Sequence, residues 1–375
     1  MINKNLVFVI NVDWYFCLHW IERATYFKEL GFNVHVISNF TNESIKSQLI
    51  QSGFTCHQFG LKRKSVNPFH EISSFIELKR LISSLQPDLI HCVTVKPNIY
   101  TGLINRFFVK KPIIYSITGL GLIFSSSSVK FKVLKLIICF LYRLVSMGNA
   151  RFIFENSDDF KLFLCEGIVK NGNGLVIKGA GIDLNRFQPS VAPGNNTVLF
   201  AARLLRDKGL HELVEAKRRL SNRGINFTLK VAGIIDTDVS SAIPMEQINT
   251  WSESGDIIWL GNVSDMPSLI KSCDIVCLPT TYGEGVPRIL IEAASCQRAI
   301  VTTDVVGCRE IVSDTYNGFL VKPADPDSLA TALEKLLADS DIVNLFGANG
   351  RIKVEAEFSQ EQVFQKTKNV YNELL

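Results

Sequence analysis

The chain has no C-x-x-C pair, no uninterrupted run of roughly 20 apolar residues, and no histidines at metal-ligand spacing. Each absence closes off a class. Nine scattered cysteines, an odd number, argue against a disulfide framework and for reduced thiols in the cytoplasm. Cys273 and Cys277 flank an apolar run and read as small core residues. The six histidines predict no structural metal. The N-terminus lacks the layout of a signal peptide, and no internal repeat is present. Charged residues are few, 20 %, against 47 % apolar, which excludes a disordered chain. The basic residues are dispersed without aromatic interleaving, which sets nucleic acid aside as a partner.

A chain of 375 residues exceeds a comfortable single core, so two domains are expected. The charge is unevenly shared. Residues 1–187 carry 22 Lys and Arg against 12 Asp and Glu, and the remainder carries 18 against 24. A basic first half suits an acidic partner such as anionic lipid or pyrophosphate, although solvated surfaces can also simply differ.

The most informative stretch is Tyr282-Gly-Glu-Gly-Val-Pro-Arg-Ile-Leu-Ile-Glu-Ala293. A short apolar run, Asp274-Ile-Val-Cys-Leu-Pro279, precedes it, and Ile289, Leu290, Ala293 and Ala294 follow at helical spacing. Strand, glycine-rich turn and helix start are the reading, with Pro287 at the first helical turn. Gly283 and Gly285 allow close backbone approach, and the helix start offers unpaired N–H groups to a phosphate. Two carboxylates, Glu284 and Glu292, flank this anion site; beside a phosphate they suit hydroxyl groups. A phosphate next to several hydroxyls describes a nucleotide sugar.

In order, Leu6-Val-Phe-Val-Ile10 is a strand followed by a loop with Asp13 and His19. A helix to Leu30 and the strand Val34-His-Val-Ile37 come next, then a helix over 69–85 and the strand Leu89-Ile-His-Cys-Val93. Lys96 follows that strand, with a helix from about Tyr100, and Thr118-Gly119 follows the strand Ile113-Ile-Tyr-Ser-Ile117. Alternating strands and helices with tight connections predict doubly wound α/β sheets, whose ligands sit outside the strand carboxyl ends. Asp13 and His19 lie on that edge; a helix cap and a half-buried ring are the plain alternatives. Residues 125–128 form a serine loop, and 129–143 a helix with Lys130, Lys132, Lys135 and Arg143 among large apolar residues. Two readings stay open there: a helix lying on an anionic membrane surface, or an ordinary amphipathic core helix.

Residues 188–196, rich in proline, glycine and asparagine, read as the linker. The pattern then restarts with Thr197-Val-Leu-Phe-Ala-Ala202, followed by Arg203 and Lys208 on a strand-to-helix loop, well placed for a diphosphate. Asn262 and Val263 follow another strand, where backbone groups can read a base.

Arg203…Lys208-Gly209, Gly261-Asn-Val, Glu284-Gly-Val-Pro-Arg-Ile-Leu-Ile-Glu292-Ala and Gly307-Cys-Arg-Glu resemble retaining glycosyltransferase family 4. Gly179-Ala-Gly-Ile-Asp183 is similar to that family's domain junction. Asn11-Val-Asp13, His19, Val95-Lys96-Pro-Asn98 and Thr118-Gly-Leu-Gly resemble a narrower branch that extends polyprenyl-diphosphate-linked sugars in bacterial surface polysaccharides. It includes N-acetylgalactosaminyltransferases acting on undecaprenyl-diphosphate-bacillosamine.

The resemblance implies the GT-B fold, two Rossmann-like domains facing across a cleft. The expected domains are 1–187 for the acceptor, 188–355 for the donor, and a last helix at 356–375 crossing back to the first. Arg203 and Lys208 would neutralise the donor diphosphate, and Glu292 would hold ribose hydroxyls. Glu284 with Gly285, Val286, Pro287 and Arg288 would orient the transferred sugar. Asp13, Lys96, Thr118 and Gly119 fall on the acceptor side. A histidine follows the corresponding strand in many relatives; here Thr118-Gly119 stands there, which leaves His19 to be tested.

The expected activity is retaining, metal-independent transfer of an N-acetylhexosamine or hexose from a UDP donor, with GDP the runner-up. The acceptor would be a lipid-linked saccharide at the inner face of the cytoplasmic membrane. No cofactor is expected. A nucleotide-sugar 2-epimerase or a nucleotide-sugar-binding protein on the same fold is the alternative.

Overall fold

Apolar runs of four to six residues, joined by helices with polar outer faces, bury themselves by pairing as parallel strands covered on both sides. The computed structural model describes residues 4–60, 68–121, 124, 128–170, 172–236, 241–283 and 285–375. Within them the strands form two parallel sheets. The first holds β1 (Asn5–Val9), β2 (Asn33–Ser38), β3 (Thr55–Gln58), β4 (Leu89–Val93), β5 (Ile113–Ile117), β6 (Ala150–Phe154) and β7 (Gly174–Val176), in the order β3-β2-β1-β4-β5-β6-β7. The second holds β8 (Thr197–Ala201), β9 (Thr228–Ala232), β10 (Ile258–Gly261), β11 (Ile275–Leu278), β12 (Ala299–Thr303) and β13 (Gly318–Val321), in the order β10-β9-β8-β11-β12-β13.

The chain divides into two units, residues 1–180 with 363–375, and residues 181–362. The segment 188–196 lies in the second, where the N–H groups of Gly194, Asn195 and Thr197 donate to Asp274 at 2.6, 3.1 and 3.0 Å.

In the first unit, strand alternation sends Val7 and Val9 to one core and Leu6, Phe8 and Ile10 to the other. That second core is closed by Val363, Phe364, Val370, Tyr371 and Leu374 of the last helix, Gln360–Leu374. Tyr371 reaches His91 on β4: its hydroxyl lies 2.6 Å from Nδ1, and Ser116 Oγ lies 2.7 Å from Nε2. Burial, reinforced by the nearby Arg23 charge, holds the His91 pKa well below 6.5.

That depression has a consequence for stability. Below about pH 6.5 the unfolded chain takes a proton that folded His91 refuses, so stability present above this pH is lost as pH falls. Asp159, pushed up to about 6 by burial, acts in the opposite sense at lower pH. The readout is therefore a difference. His91→Gln should flatten the fall in urea-unfolding free energy from about pH 7.5 to about 5.5 relative to wild type. Equal slopes in the two proteins would refute it.

Three elements depart from expectation. Asp13 and His19, expected on a loop, open and close the helix Asp13–His19. β3, Thr-Cys-His-Gln, carries no apolar alternation because it is a sheet edge, paired on one side only, with β2. The helix expected from about Tyr100 begins at Val95, because Pro97 falls in the first turn, where its missing N–H costs nothing. Residues 125–127 of the expected serine loop lie outside the described residues.

Candidate active site

A doubly wound sheet leaves a crevice where neighbouring strands send their loops to opposite sides. In the second sheet that reversal falls between β8 and β11. The loops leaving those two strands carry most of the expected donor residues.

Four loops are bound into a row along this edge. The Gly233 N–H donates to the Gly261 carbonyl at 2.7 Å, joining the ends of β9 and β10. Leu204 N–H donates to Ile234 O at 2.9 Å, and Arg203 Nη1 meets Asp236 Oδ2 at 2.9 Å, joining β9 to β8. Across the reversal, the Asp207 carbonyl accepts from Thr281 N–H at 2.8 Å, Thr280 Oγ1 at 3.1 Å and Thr281 Oγ1 at 3.2 Å. The single turn Arg206–Lys208 is thereby fixed against the start of the glycine-rich stretch.

Lys208 consequently lies 6 % exposed, its ammonium 5.3 Å from the centre of the Tyr282 ring. Gly209 closes the turn at φ +81°, and a Cβ there would come within 2.0 Å of the Pro279 carbonyl oxygen. Gly283 packs so closely on Val306 that a Cβ would lie 2.9 Å from the valine Cβ. Pro287 caps the helix Arg288–Ser295. On its first turns Arg288 Nε donates to Glu292 Oε1 at 2.9 Å, both side chains largely buried. Gly285, Val286 and Pro287 are buried. Asn262, exposed, and Val263, half-buried, follow β10, two strands from β8. Glu284 lies outside the described residues.

In the first sheet the reversal falls between β1 and β4. Asp13 is fully buried there. Its carboxylate accepts from Trp14 N–H at 2.8 Å, Thr41 N–H at 2.8 Å, Thr41 Oγ1 at 3.0 Å and Asn42 N–H at 3.0 Å, clamping the loop after β1 to the loop after β2. Lys96 Nζ lies 3.2 Å from Glu71, which also accepts from the Tyr100 hydroxyl. His19 ends the helix Asp13–His19, half-buried, its ring 4.5 Å from that of Tyr15. Thr118 and Gly119 follow β5, Gly119 at φ +112°.

Sequence reasoning passed over three residues here. Asp236 holds Arg203, and Tyr282 faces Lys208; both contacts join separate loops, so no local spacing signals them. Thr94, between β4 and Lys96, adopts φ 73° and ψ 162°, a conformation close to glycine-only for a β-branched residue. Among the described residues, no group of three or more His, Cys, Asp or Glu is arranged to hold a metal ion.

The fold has solved counterparts. A crystal structure of Anabaena Alr3699/HepE in complex with UDP superposes with a TM-score of 0.80 at 18 % identity, covering 99 % of this chain and 100 % of that one. Residues 5–156 match the family described as Glycosyl transferase 4-like, and residues 181–353 match Glycosyl transferases group 1. The protein is a GT-B glycosyltransferase.

This glycosyltransferase is 28 % identical over 333 residues to the N,N'-diacetylbacillosaminyl-diphospho-undecaprenol alpha-1,3-N-acetylgalactosaminyltransferase of Campylobacter jejuni, covering 84 % of this chain and 85 % of the relative. It is 24 % identical over 365 residues to the capsular polysaccharide biosynthesis glycosyltransferase CapM of Staphylococcus aureus, covering 93 % and 92 %. The row of loops on the second sheet lies within the group 1 match, and the β1 and β4 loops lie within the 4-like match.

Proposed function

We propose that the glycosyltransferase retains configuration and needs no metal, moving an N-acetylhexosamine or hexose from a UDP donor onto a saccharide carried on polyprenyl diphosphate, in bacterial surface-polysaccharide assembly. The observation that carries this reading is buried Lys208 at the reversal of the second sheet, with Arg203 beginning the same loop. Two cations on a loop braced by Asp207 and Thr281 suit a diphosphate leaving group. The UDP held by the Anabaena protein supports the nucleotide, and the acceptor named for the Campylobacter relative supports the lipid-linked saccharide.

In this reading the acceptor hydroxyl oxygen bonds to the sugar's anomeric carbon as the bond to the diphosphate oxygen breaks. The hydroxyl proton passes to that leaving oxygen on the same face, so no protein nucleophile takes part. Catalysis is then positioning plus charge stabilisation by Arg203 and Lys208. Glu292 holds ribose hydroxyls, Glu284 and the backbone of 285–288 orient the sugar, and the loop at Asn262 and Val263 reads the base. Lys96, Thr118 and Gly119 contact the acceptor; Asp13 acts through the loops it clamps, and His19 is the side chain to test for proton handling.

Membrane association through 129–143 is part of the proposal. The helix Val129–Val145 buries Ile138, Cys139, Tyr142 and Val145 but leaves Val129, Val133, Leu136, Ile137 and Phe140 exposed, which favours a surface-lying helix over an ordinary core helix. No helix among the described residues is long and apolar enough to cross a membrane.

A panel of UDP- and GDP-sugars, with and without a short-chain polyprenyl-diphosphate-sugar, tests the reading through nucleotide release and product mass. Acceptor-dependent release with one sugar added is expected. Isomerisation of the donor without acceptor would instead establish a 2-epimerase.

A further inference from the structure

We infer that the turn Asn105–Val109 is a second membrane-inserting element, which adds to the helix Val129–Val145 a hydrophobic hold that salt does not remove. The inference rests on the reading that the acceptor is lipid-borne, and it concerns an element that lies outside 129–143.

Between residues 89 and 154 the chain has nine Lys and Arg, Arg151 included, and not one Asp or Glu. Within this stretch Phe107 and Phe108 stand side by side on a π-helical turn, 55 % and 52 % exposed. Their exposure is built in and does not come from a frayed end. Lys110, in the left-handed conformation, donates its N–H to Asn105 O at 2.8 Å. The Asn105 side chain accepts from Lys111 N–H at 2.9 Å and donates to Lys111 O at 2.8 Å. Two adjacent aromatic rings held outward in this way expose apolar area that water disfavours.

The turn abuts the C-terminal end of the long helix. Arg106 Nη2 lies 3.5 Å from the sulfur of exposed Met147, and Gly102 packs against Val145 so closely that a Cβ would meet the valine Cβ at 2.8 Å. Leu136 and Phe140 of the long helix are 67 % and 62 % exposed. Cations flank these apolar groups along the chain, and one stacks on a ring. Lys110, Lys130 and Lys132 are exposed, and the Lys79 ammonium lies 3.7 Å from the Phe108 ring centre. Lys135 and Arg143, by contrast, are drawn to Glu166 at 3.0 and 3.3 Å.

Apolar tips with exposed lysines beside them in an acid-free stretch complement an interface of acyl chains beneath anionic headgroups. A protein partner of matching shape would place acidic side chains opposite the lysines; a bilayer supplies both charge and depth, so the occupant is an anionic membrane. The cations account for attraction that salt screens, and the phenylalanines for insertion that salt leaves intact.

The test uses vesicles of phosphatidylcholine with about 30 % phosphatidylglycerol, sedimented at low salt and at about 0.5 M NaCl. Wild type is expected to stay bound at both. Phe107→Ser with Phe108→Ser is expected to bind at low salt and to lose about tenfold or more in partitioning at high salt, as two aromatic contacts are removed. A single Phe108→Trp variant keeps the aromatic and reports directly: its added emission should shift to the blue on vesicles and be quenched by brominated lipid. Double-variant binding equal to wild type at high salt, or emission from the introduced indole that ignores the vesicles, would overturn the inference. So would a wild-type oligomer that the double variant converts to monomer, because the rings would then face a second copy. UDP binding by the double variant checks that it is folded. The vesicle assay contains neither donor nor acceptor, so failed transfer and failed insertion are read separately.

Discussion

Lys208→Ala should lower kcat by about 10²- to 10³-fold while leaving the donor KM within about threefold of wild type. The reason is where the ammonium sits. Lys208 is almost fully buried, so its charge is little screened, and it lies in the loop proposed to hold the diphosphate. On that proposal several groups hold the diphosphate in the ground state, and losing one is tolerable. In the transition state the sugar–oxygen bond is breaking and negative charge accumulates on the leaving oxygen, so a fixed cation gains strength there. Lys208→Arg should recover only part of the rate, because a planar fork does not fit the space of a compact ammonium against Tyr282. Arg203→Ala should cost less, since Arg203 is more exposed and shares its charge with Asp236. If steady-state kinetics show a raised KM and an unchanged kcat for Lys208→Ala, the residue provides only uniform binding and its proposed role falls.

The second large effect comes from a methyl group. Gly209→Ala places a Cβ 2.0 Å from the Pro279 carbonyl oxygen, an overlap that only backbone movement relieves. Gly209 also sits at φ +81°, where any L-residue is strained by about 1 kcal/mol. Together these should destabilise the protein by about 3 kcal/mol and shift the 206–208 turn that carries Lys208, so activity falls with stability. Gly224→Ala is the control. It has nearly the same φ, +83°, with nothing within 4 Å of the added Cβ, so it should show the backbone cost alone. Urea unfolding of the two variants separates clash from conformation. Equal midpoints would mean that the Pro279 contact does not brace the turn.

Much of the architecture is written locally. The strands β4 and β5 are legible to the residue because each is a short apolar run bounded by turn residues. The carboxyl-end placement of Asp13, Lys96, Thr118, Arg203, Lys208 and Asn262 follows from that alternation alone. β3 escaped because an edge strand need not be apolar, and the helix expected from about Tyr100 starts earlier, at Val95, because Pro97 is tolerated in its first turn.

What each candidate touches was less legible. Asp13 read equally as a helix cap or a site residue; it is the clamp between two loops, accepting from Thr41 and Asn42, nearly thirty residues along the chain. The 129–143 segment has apolar residues on more than one face, and periodicity cannot say which face is covered. Only packing shows that Ile138, Cys139, Tyr142 and Val145 are buried while Leu136 and Phe140 are not.

The sequence by itself therefore determined two parallel-stranded α/β halves, the loops that carry their chemistry, and residue types suited to a nucleotide sugar. Those depend on period, turn chemistry and charge, which neighbours along the chain decide. The tertiary structure alone decided that Tyr282 faces Lys208, that Asp236 holds Arg203, and that Phe107 and Phe108 stand outward beside the long helix. Those contacts join segments brought together by strand order and helix packing, so they exist only once the sheets have formed.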